Sequence, residues 1–204
     1  AAFTLSLVHQ LQRTQVAEAQ ARQEAEQSRL VLEYLQSVFE YANPDKGARP
    51  GITARELLDA ASAQIDSGLK AAPELQLRQL LALGWVYHAM GLPTEALQLF
   101  DKAAAIPFAD ERTRFEVLNA QAQGLWRQGE LRKAETVARA AYEVAREVLP
   151  ELSEGRAQSM TTLALILDEN FKHEESKSLF EQVLQIRTTL FGPRSLKVST
   201  TLHN

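Results

Sequence analysis

The chain has 204 residues and a mass of 22.7 kDa, enough for one sizeable domain or one short repeat array with a buried core. It contains no cysteine, which excludes disulfides, Cys-ligated metals and thiolate catalysis. Lys and Arg number 22 against 26 Asp and Glu, and this net charge of -4 removes the electrostatic basis for binding nucleic acid or an anionic membrane surface, while an apolar content of 45% describes a chain that folds.

Residues 1–12 carry no Asp, Glu, Lys or Arg and are rich in Ala, Leu, Phe and Val. The run is shorter than the roughly 20 apolar residues that span a bilayer, and it lacks the positive start of a signal peptide. It reads either as the exposed end of an amphipathic helix or as the last turns of a transmembrane helix that begins before Ala1. Residues 13–41 are dense in Ala, Glu, Gln and Arg with neither Gly nor Pro, which predicts one long helix. Its stripe of Ala21, Ala25, Ser28, Leu32, Leu35 and Phe39 has the seam spacing of helix-on-helix packing and thickens along the chain. Burial is therefore expected from Leu32 onward, against the helix over 57–65, with a free projection before Arg29 and at most a weak homodimer through the thin part of the seam.

Asn43-Pro44-Asp45-Lys46-Gly47 and Pro50-Gly51 mark a loop, and Thr53-Ala54-Arg55-Glu56 reads as a capping box opening the next helix. Helix-length segments then alternate with breaks at Pro73, Gly91, Pro107, Gly129, residues 150–155, residues 171–173 and Gly192-Pro193. No segment shows the period-2 alternation of a strand. The apolar run over 163–167 sits in register with a helical repeat, so the fold class is all-α.

Aligned on itself, the chain repeats. One unit holds Leu80, Leu83, Gly84, Tyr87, Ala96, Phe100 and Ala103; the next holds Leu118, Gln121, Ala122, Leu125, Ala134, Ala138 and Ala141; a third holds Met160, Leu163, Ala164, Leu167, Ser176, Phe180 and Val183. Gly or Ala at 84, 122 and 164 lets two helices approach closely, while large residues at 87, 100, 125, 167 and 180 fill the gaps around them. The second unit departs most, with Gln121 and Ala138 where the others are bulky. Ala54, Leu58 and Ala61 fall in step with Ala96, Phe100 and Ala103, and read as the second helix of a degenerate leading repeat.

The pattern resembles the tetratricopeptide repeat, in the long-helix variety found in kinesin light chains and many bacterial proteins. The resemblance implies a right-handed superhelix of helix hairpins over 77–204, about three repeats with residues 195–204 beginning another first helix that the chain leaves incomplete. It would stand behind a juxtamembrane helix over 1–42 and a loop with a degenerate half-repeat over 43–76. A finer resemblance runs over residues 13–104, through Tyr34-Leu35-Gln36-Ser37-Val38-Phe39, Ala42-Asn43-Pro44-Asp45, Thr53-Ala54-Arg55-Glu56-Leu57-Leu58-Asp59, Pro73-Glu74-Leu75 and Leu83-Gly84-Trp85-Val86-Tyr87. This order looks like the segment that follows the transmembrane helix in bacterial serine/threonine protein kinases with a C-terminal repeat array. It implies an anchor in the inner membrane, a periplasmic place for this domain, and a role as a non-catalytic sensor that binds a protein or peptide. The rival is a cytoplasmic scaffold or the repeat domain of a transcription regulator.

No kinase motif, phosphate loop, nucleophile elbow or calcium loop occurs in these residues. His9, His88, His173 and His203 are scattered without metal-ligand spacing, and the carboxylate pairs Asp168-Glu169 and Glu174-Glu175 read as solvated surface. No catalysis, metal, cofactor or nucleic-acid partner is expected. In the tetratricopeptide register the first helices line a concave groove, and Trp85, His88, Asn119, Gln123, Trp126, Arg127, Thr161 and Asp168 are the candidate partner-binding residues. Asn119 stands where the family can hydrogen-bond an extended peptide backbone. Leu81 and Trp85 occupy the places of the family's Lys and Asn clamp, so a chain-end carboxylate is a poor ligand there. Trp85 and Trp126 read either as aromatic anchors for a partner or as cover for the N-terminal helix or a neighbouring repeat.

Overall fold

The structure, a computed structural model, describes Arg29, residues 53–69 and residues 72–203. Among the described residues there are eight α-helices and no strand. The segment 1–12, the helix over 13–41 and the loop around Pro44 and Pro50 lie outside the described residues, apart from Arg29, which is helical and exposed. No helix of the described residues is long and apolar enough to cross a membrane. The chain divides into two compact units, Ala1–Leu75 and Gln76–Asn204.

In the first unit, α1 (Ala54–Gly68) starts at the capping box read from the sequence. Glu56 N donates to Thr53 Oγ1 at 3.2 Å and Thr53 N donates to Glu56 Oε2 at 2.8 Å, which satisfies two donors that a helix start leaves without intrahelical partners. Ala61, Ile65 and Leu69 follow one another at helical spacing and are buried. Ala54 is exposed and Leu58 half-buried, so of the three residues aligned with Ala96, Phe100 and Ala103 only Ala61 shares their burial. Helix α2 (Pro73–Ala89) begins in this unit and runs into the second.

The second unit continues with α3 (Pro93–Ala104), α4 (Glu111–Arg127), α5 (Leu131–Val148), α6 (Glu154–Glu169), α7 (His173–Phe191) and α8 (Leu196–His203). Asp110 and Ser153 cap α4 and α6 through their side-chain oxygens, which accept from Thr113 N at 2.7 Å and Arg156 N at 3.3 Å. Helix α4 packs on α5 and α6 on α7, and successive hairpins join through α3 with α4, α5 with α6, and α7 with α8. The first helices α4 and α6 also touch each other.

Phe100 is fully buried and closely packed by two glycines. A Cβ placed on Gly84 of α2 would come within 2.4 Å of Phe100 Cε1, and one on Gly124 of α4 would lie 3.2 Å from Phe100 Cδ2 and 3.1 Å from Leu97 Cδ1. The phenyl ring of α3 therefore occupies the space that two missing side chains leave, one on each flanking first helix. In the second repeat the helices meet through Ala122, Ala134 and Ala138, all essentially without exposure. Leu125, Trp126, Val137 and Tyr142 pack around that cluster and supply the bulk that Ala138 lacks. Gln121 replaces an apolar contact with a hydrogen bond from its Nε2 to Asp101 Oδ1 at 2.8 Å.

The three hairpin turns share one geometry. Leu92, Glu130 and Lys172 donate their backbone N–H groups to the carbonyls of Tyr87, Leu125 and Leu167 at 3.0, 3.0 and 2.9 Å, each around a residue with positive φ. This is the Schellman closure of a helix end. The left-handed residue is Gly91 (φ 73°), Gly129 (φ 78°) and then Phe171 (φ 61°). The third turn is thus built on a non-glycine residue whose ring is 85% exposed.

Polar side chains fix the hairpins against one another. Arg139 of α5 donates through both terminal nitrogens to Glu175 of α7 at 2.7 Å, and through Nε to Glu135 at 2.9 Å. Lys172 Nζ reaches the same Glu135 at 2.6 Å, and Asn170 Nδ2 donates to Glu135 Oε2 at 3.0 Å and to the Leu131 carbonyl at 3.2 Å. The hydrogen bond from Arg139 lowers the Glu175 carboxyl below its ordinary value; for Glu135, burial acts upward and is outweighed by the bonds from Lys172 and Arg139. Farther along, the buried Arg187 of α7 donates to Thr201 Oγ1 of α8 at 2.8 Å and to Glu154 Oε1 of α6 at 3.2 Å.

Two variants test this packing. Gly84→Leu is expected to destabilise by about 1 to 3 kcal/mol or more, because the Phe100 ring has no free space to retreat into; an unchanged thermal midpoint by circular dichroism would show that the two do not meet. Phe171→Gly is expected to stabilise by about 0.5 to 1 kcal/mol, since it relieves a left-handed conformation costing about 1 to 2 kcal/mol and loses little packing. Denaturant titration measures the change, and a lower midpoint for the variant would contradict the strained turn.

Candidate binding groove

The candidate residues lie on the first helices, and their register follows from the packing just described. Within each hairpin, the positions at 80, 83, 84 and 87 and their equivalents turn toward the second helix and are largely buried. Residues one position further round the helix, at 85, 88, 123 and 126, remain half-buried.

Trp85 lies with its ring centre 5.1 Å from that of Phe100 and 5.3 Å from that of His88, the latter in an edge arrangement. The indole thus covers the core of its own hairpin on one side and is open on the other. Trp126 likewise packs against the core cluster of the second and third repeats, and Arg127 holds its guanidinium carbon 4.8 Å from the centre of that ring. Arg127 itself is exposed. Gln123, about one turn earlier on the same helix, is half-buried. Asn119 is 8% exposed, one of few polar residues in the interior.

His88 is half-buried, and its Nδ1 has no hydrogen-bond partner among the described residues. Burial lowers its pKa, and the charge of Arg127 lowers it further. These two residues share a pocket of about 450 Å³ whose lining includes Ala89, Gly91 and Pro93. Thr161 spends its hydroxyl on its own helix, donating to the Ala157 carbonyl at 2.8 Å. Asp168 is exposed, and its Oδ1 lies 2.7 Å from His173 Nδ1. Asp168 and His173 border a second pocket, of about 530 Å³, which extends over Phe180 and Leu184 of α7 to Leu202 of α8.

The eight candidates therefore do not converge on one site. His88 and Arg127 come together, with Trp85 edge-on to His88 and Arg127 over Trp126, whereas Asp168 belongs to a separate pocket and Thr161 is engaged locally. Sequence reasoning missed Gly91, Pro93, His173 and Phe180, because it placed the groove on first helices alone. Pro93 and His173 occupy the same place after their turns, so the repeat itself carried that signal. The arrangement offers half-covered aromatic faces, amides and a cation, which suits recognition of a polypeptide.

Two comparisons with families agree with this geometry. Residues 113–188 and residues 77–106 match models of the tetratricopeptide repeat, together more than half of the chain. No curated protein sequence matches. Among solved structures, BtubC (BKLC) from P. vanneervenii is similar at a TM-score of 0.60 and 20% identity, over 74% of this chain and 63% of that one, so this chain spans less than two thirds of its length. MamA is similar at a TM-score of 0.50 and 18% identity, over 73% of this chain and 79% of that one. A variant of a putative kinesin light chain from P. anserina, with nearly identical TPR-like repeats, is similar at a TM-score of 0.50 and 21% identity, over 82% of this chain and 89% of that one. At such identities the likeness speaks for the fold. With three hairpins of matching register and family matches that together span more than half of its residues, the chain belongs to the tetratricopeptide-repeat family.

Proposed function

We propose that this chain is a non-catalytic sensing and docking module that binds an extended segment of a partner protein along its first helices. The observation that carries the reading is the row of half-buried, chemically mixed side chains, Trp85, His88, Gln123 and Trp126, on helices whose other faces are packed. Aromatic rings held by their own core and open on one side lose little conformational freedom when a partner covers them. Tetratricopeptide arrays bind protein partners, and a displayed peptide library panned against the 204-residue chain tests whether this one does. Gln123→Ala is expected to weaken a captured peptide by about 1 to 3 kcal/mol through a lost hydrogen bond to the peptide backbone, while an exposed change on α5, Glu143→Gln, leaves affinity unchanged. Equal affinity for all three proteins would remove Gln123 from the site.

The finer part of the proposal is that the module serves a membrane-anchored bacterial serine/threonine kinase from the periplasmic side. What supports it is the order of segments over residues 13–104, which resembles the region after the anchor in such kinases. A partner in the groove would then reorient the helix over 13–41 and alter the pairing of kinase domains. The test is the sequence that precedes Ala1 in the intact product. About 20 apolar residues, with His-Arg-Asp and Asp-Phe-Gly motifs farther upstream, are expected. A winged-helix domain there would overturn the kinase reading in favour of a transcription regulator.

A further inference from the structure

We propose that the pocket between the α2–α3 turn and the end of α4 takes a side-chain carboxylate, from a Glu or Asp of the partner segment, between Arg127 and His88. The proposal deepens the groove reading and rests on it. Among the described residues the lining of the pocket, His88, Ala89, Gly91, Pro93 and Arg127, presents a guanidinium and an imidazole and includes no carboxylate.

Arg112, Arg114, Arg139, Arg146 and Arg187 each hold a carboxylate within 4 Å, whereas Arg127, like Arg132, Arg156 and Arg194, makes no ion pair among the described residues, and of these four it alone lies over an aromatic ring. Its guanidinium instead rests over the Trp126 ring at 4.8 Å. Stacking on an aromatic face restrains the guanidinium while leaving its N–H edge open, and that planar fork matches a carboxylate through two parallel hydrogen bonds. His88 adds unfilled hydrogen-bonding capacity, because its buried Nδ1 has no partner among the described residues. Burial lowers the His88 pKa most and the positive field of Arg127 adds to it, and an anion between the two would relieve the second of these. The pocket lies at the end of the helices, beyond Leu81 and Trp85, and has room for a whole acidic side chain as a segment passes the half-covered indoles.

A carboxylate can come from a side chain or from a chain end, and capped dipeptides separate the two. Acetyl-Glu-Glu-amide carries only side-chain carboxylates, acetyl-Gln-Gln with a free C-terminus carries only a chain-end one, and acetyl-Gln-Gln-amide carries neither. Each is titrated into the 204-residue chain while the His88 imidazole and Trp126 indole resonances are followed by NMR. The expected result is saturable shifts with acetyl-Glu-Glu-amide and an affinity about five- to tenfold above that of either Gln peptide. This advantage should vanish in Arg127→Gln and persist in Arg146→Gln. Equal affinity for all three peptides, an advantage that survives Arg127→Gln, or preference for the free chain end would each overturn the proposal. Such a result in a chain that still captures displayed peptides overturns only the pocket, whereas a chain that captures none overturns the groove reading itself.

Discussion

The ring of Phe100 needs a gap, and the gap is made by two glycines. Gly84 and Gly124 stand on successive first helices, and Phe100 comes from the second helix between them. Because the ring is fully buried and each glycine faces it at less than ordinary side-chain distance, the first hairpin and the one after it are set by a single contact. A close-packed interior has no slack to absorb a displaced ring, so the spacing of these helices is fixed to within a methyl group. The half-buried position of Trp85 follows directly, since its indole rests on the same phenyl ring.

The second and third hairpins reach a similar spacing by other means. Alanines at 122, 134 and 138 bring α4 and α5 together without a large plug, and the surrounding Leu125, Val137, Tyr142 and Trp126 close over them. Charged groups then set how the next hairpin sits. The fork of Arg139 on Glu175, with Glu135 shared by Lys172 and Asn170, joins α5 to the start of α7. Exposed ion pairs contribute little stability singly, so this network acts mainly to specify geometry. Its partners sit beside the turn at Phe171, where a left-handed backbone is held without glycine. A turn anchored by hydrogen bonds on both sides can retain such a residue, and the exposed ring is the visible consequence.

The same packing decides which chemistry faces outward. One side of each first helix is consumed by contacts with its second helix, so only residues adjacent to that contact are available to a partner. In the first two repeats those residues are Trp85, His88, Gln123 and Trp126, aromatic or amide groups with Arg127 beside them. In the third, Asp168 and His173 engage each other at 2.7 Å, and the adjoining pocket is lined by Glu174, Lys177 and Glu181. A partner segment would thus meet a different set of groups at each repeat, on a backbone that changes little.

Much of this was legible in the residues themselves. The spacing of Gly84, Ala122 and Ala164, the turn glycines 91 and 129 and the capping box at Thr53 fix the helix order, because each depends only on neighbours within one or two turns. The aligned pattern also marked Phe100 as a plug, although it could not show that Gly124 shares the ring with Gly84, a contact between different repeats. Side-chain fate along the groove was beyond it for a related reason. Asn119, Thr161 and Asp168 occupy equivalent faces, yet one is buried, one bonds its own helix and one is held by His173. Those outcomes depend on what the next helix brings within reach. The sequence by itself determined that the chain forms hairpins and where their small and large residues fall, since periodicity and turn chemistry are local properties. Only the tertiary structure decided that Arg127 lies across Trp126 and opposite His88, because that juxtaposition joins the ends of two hairpins whose separation is set by core packing rather than by position along the chain.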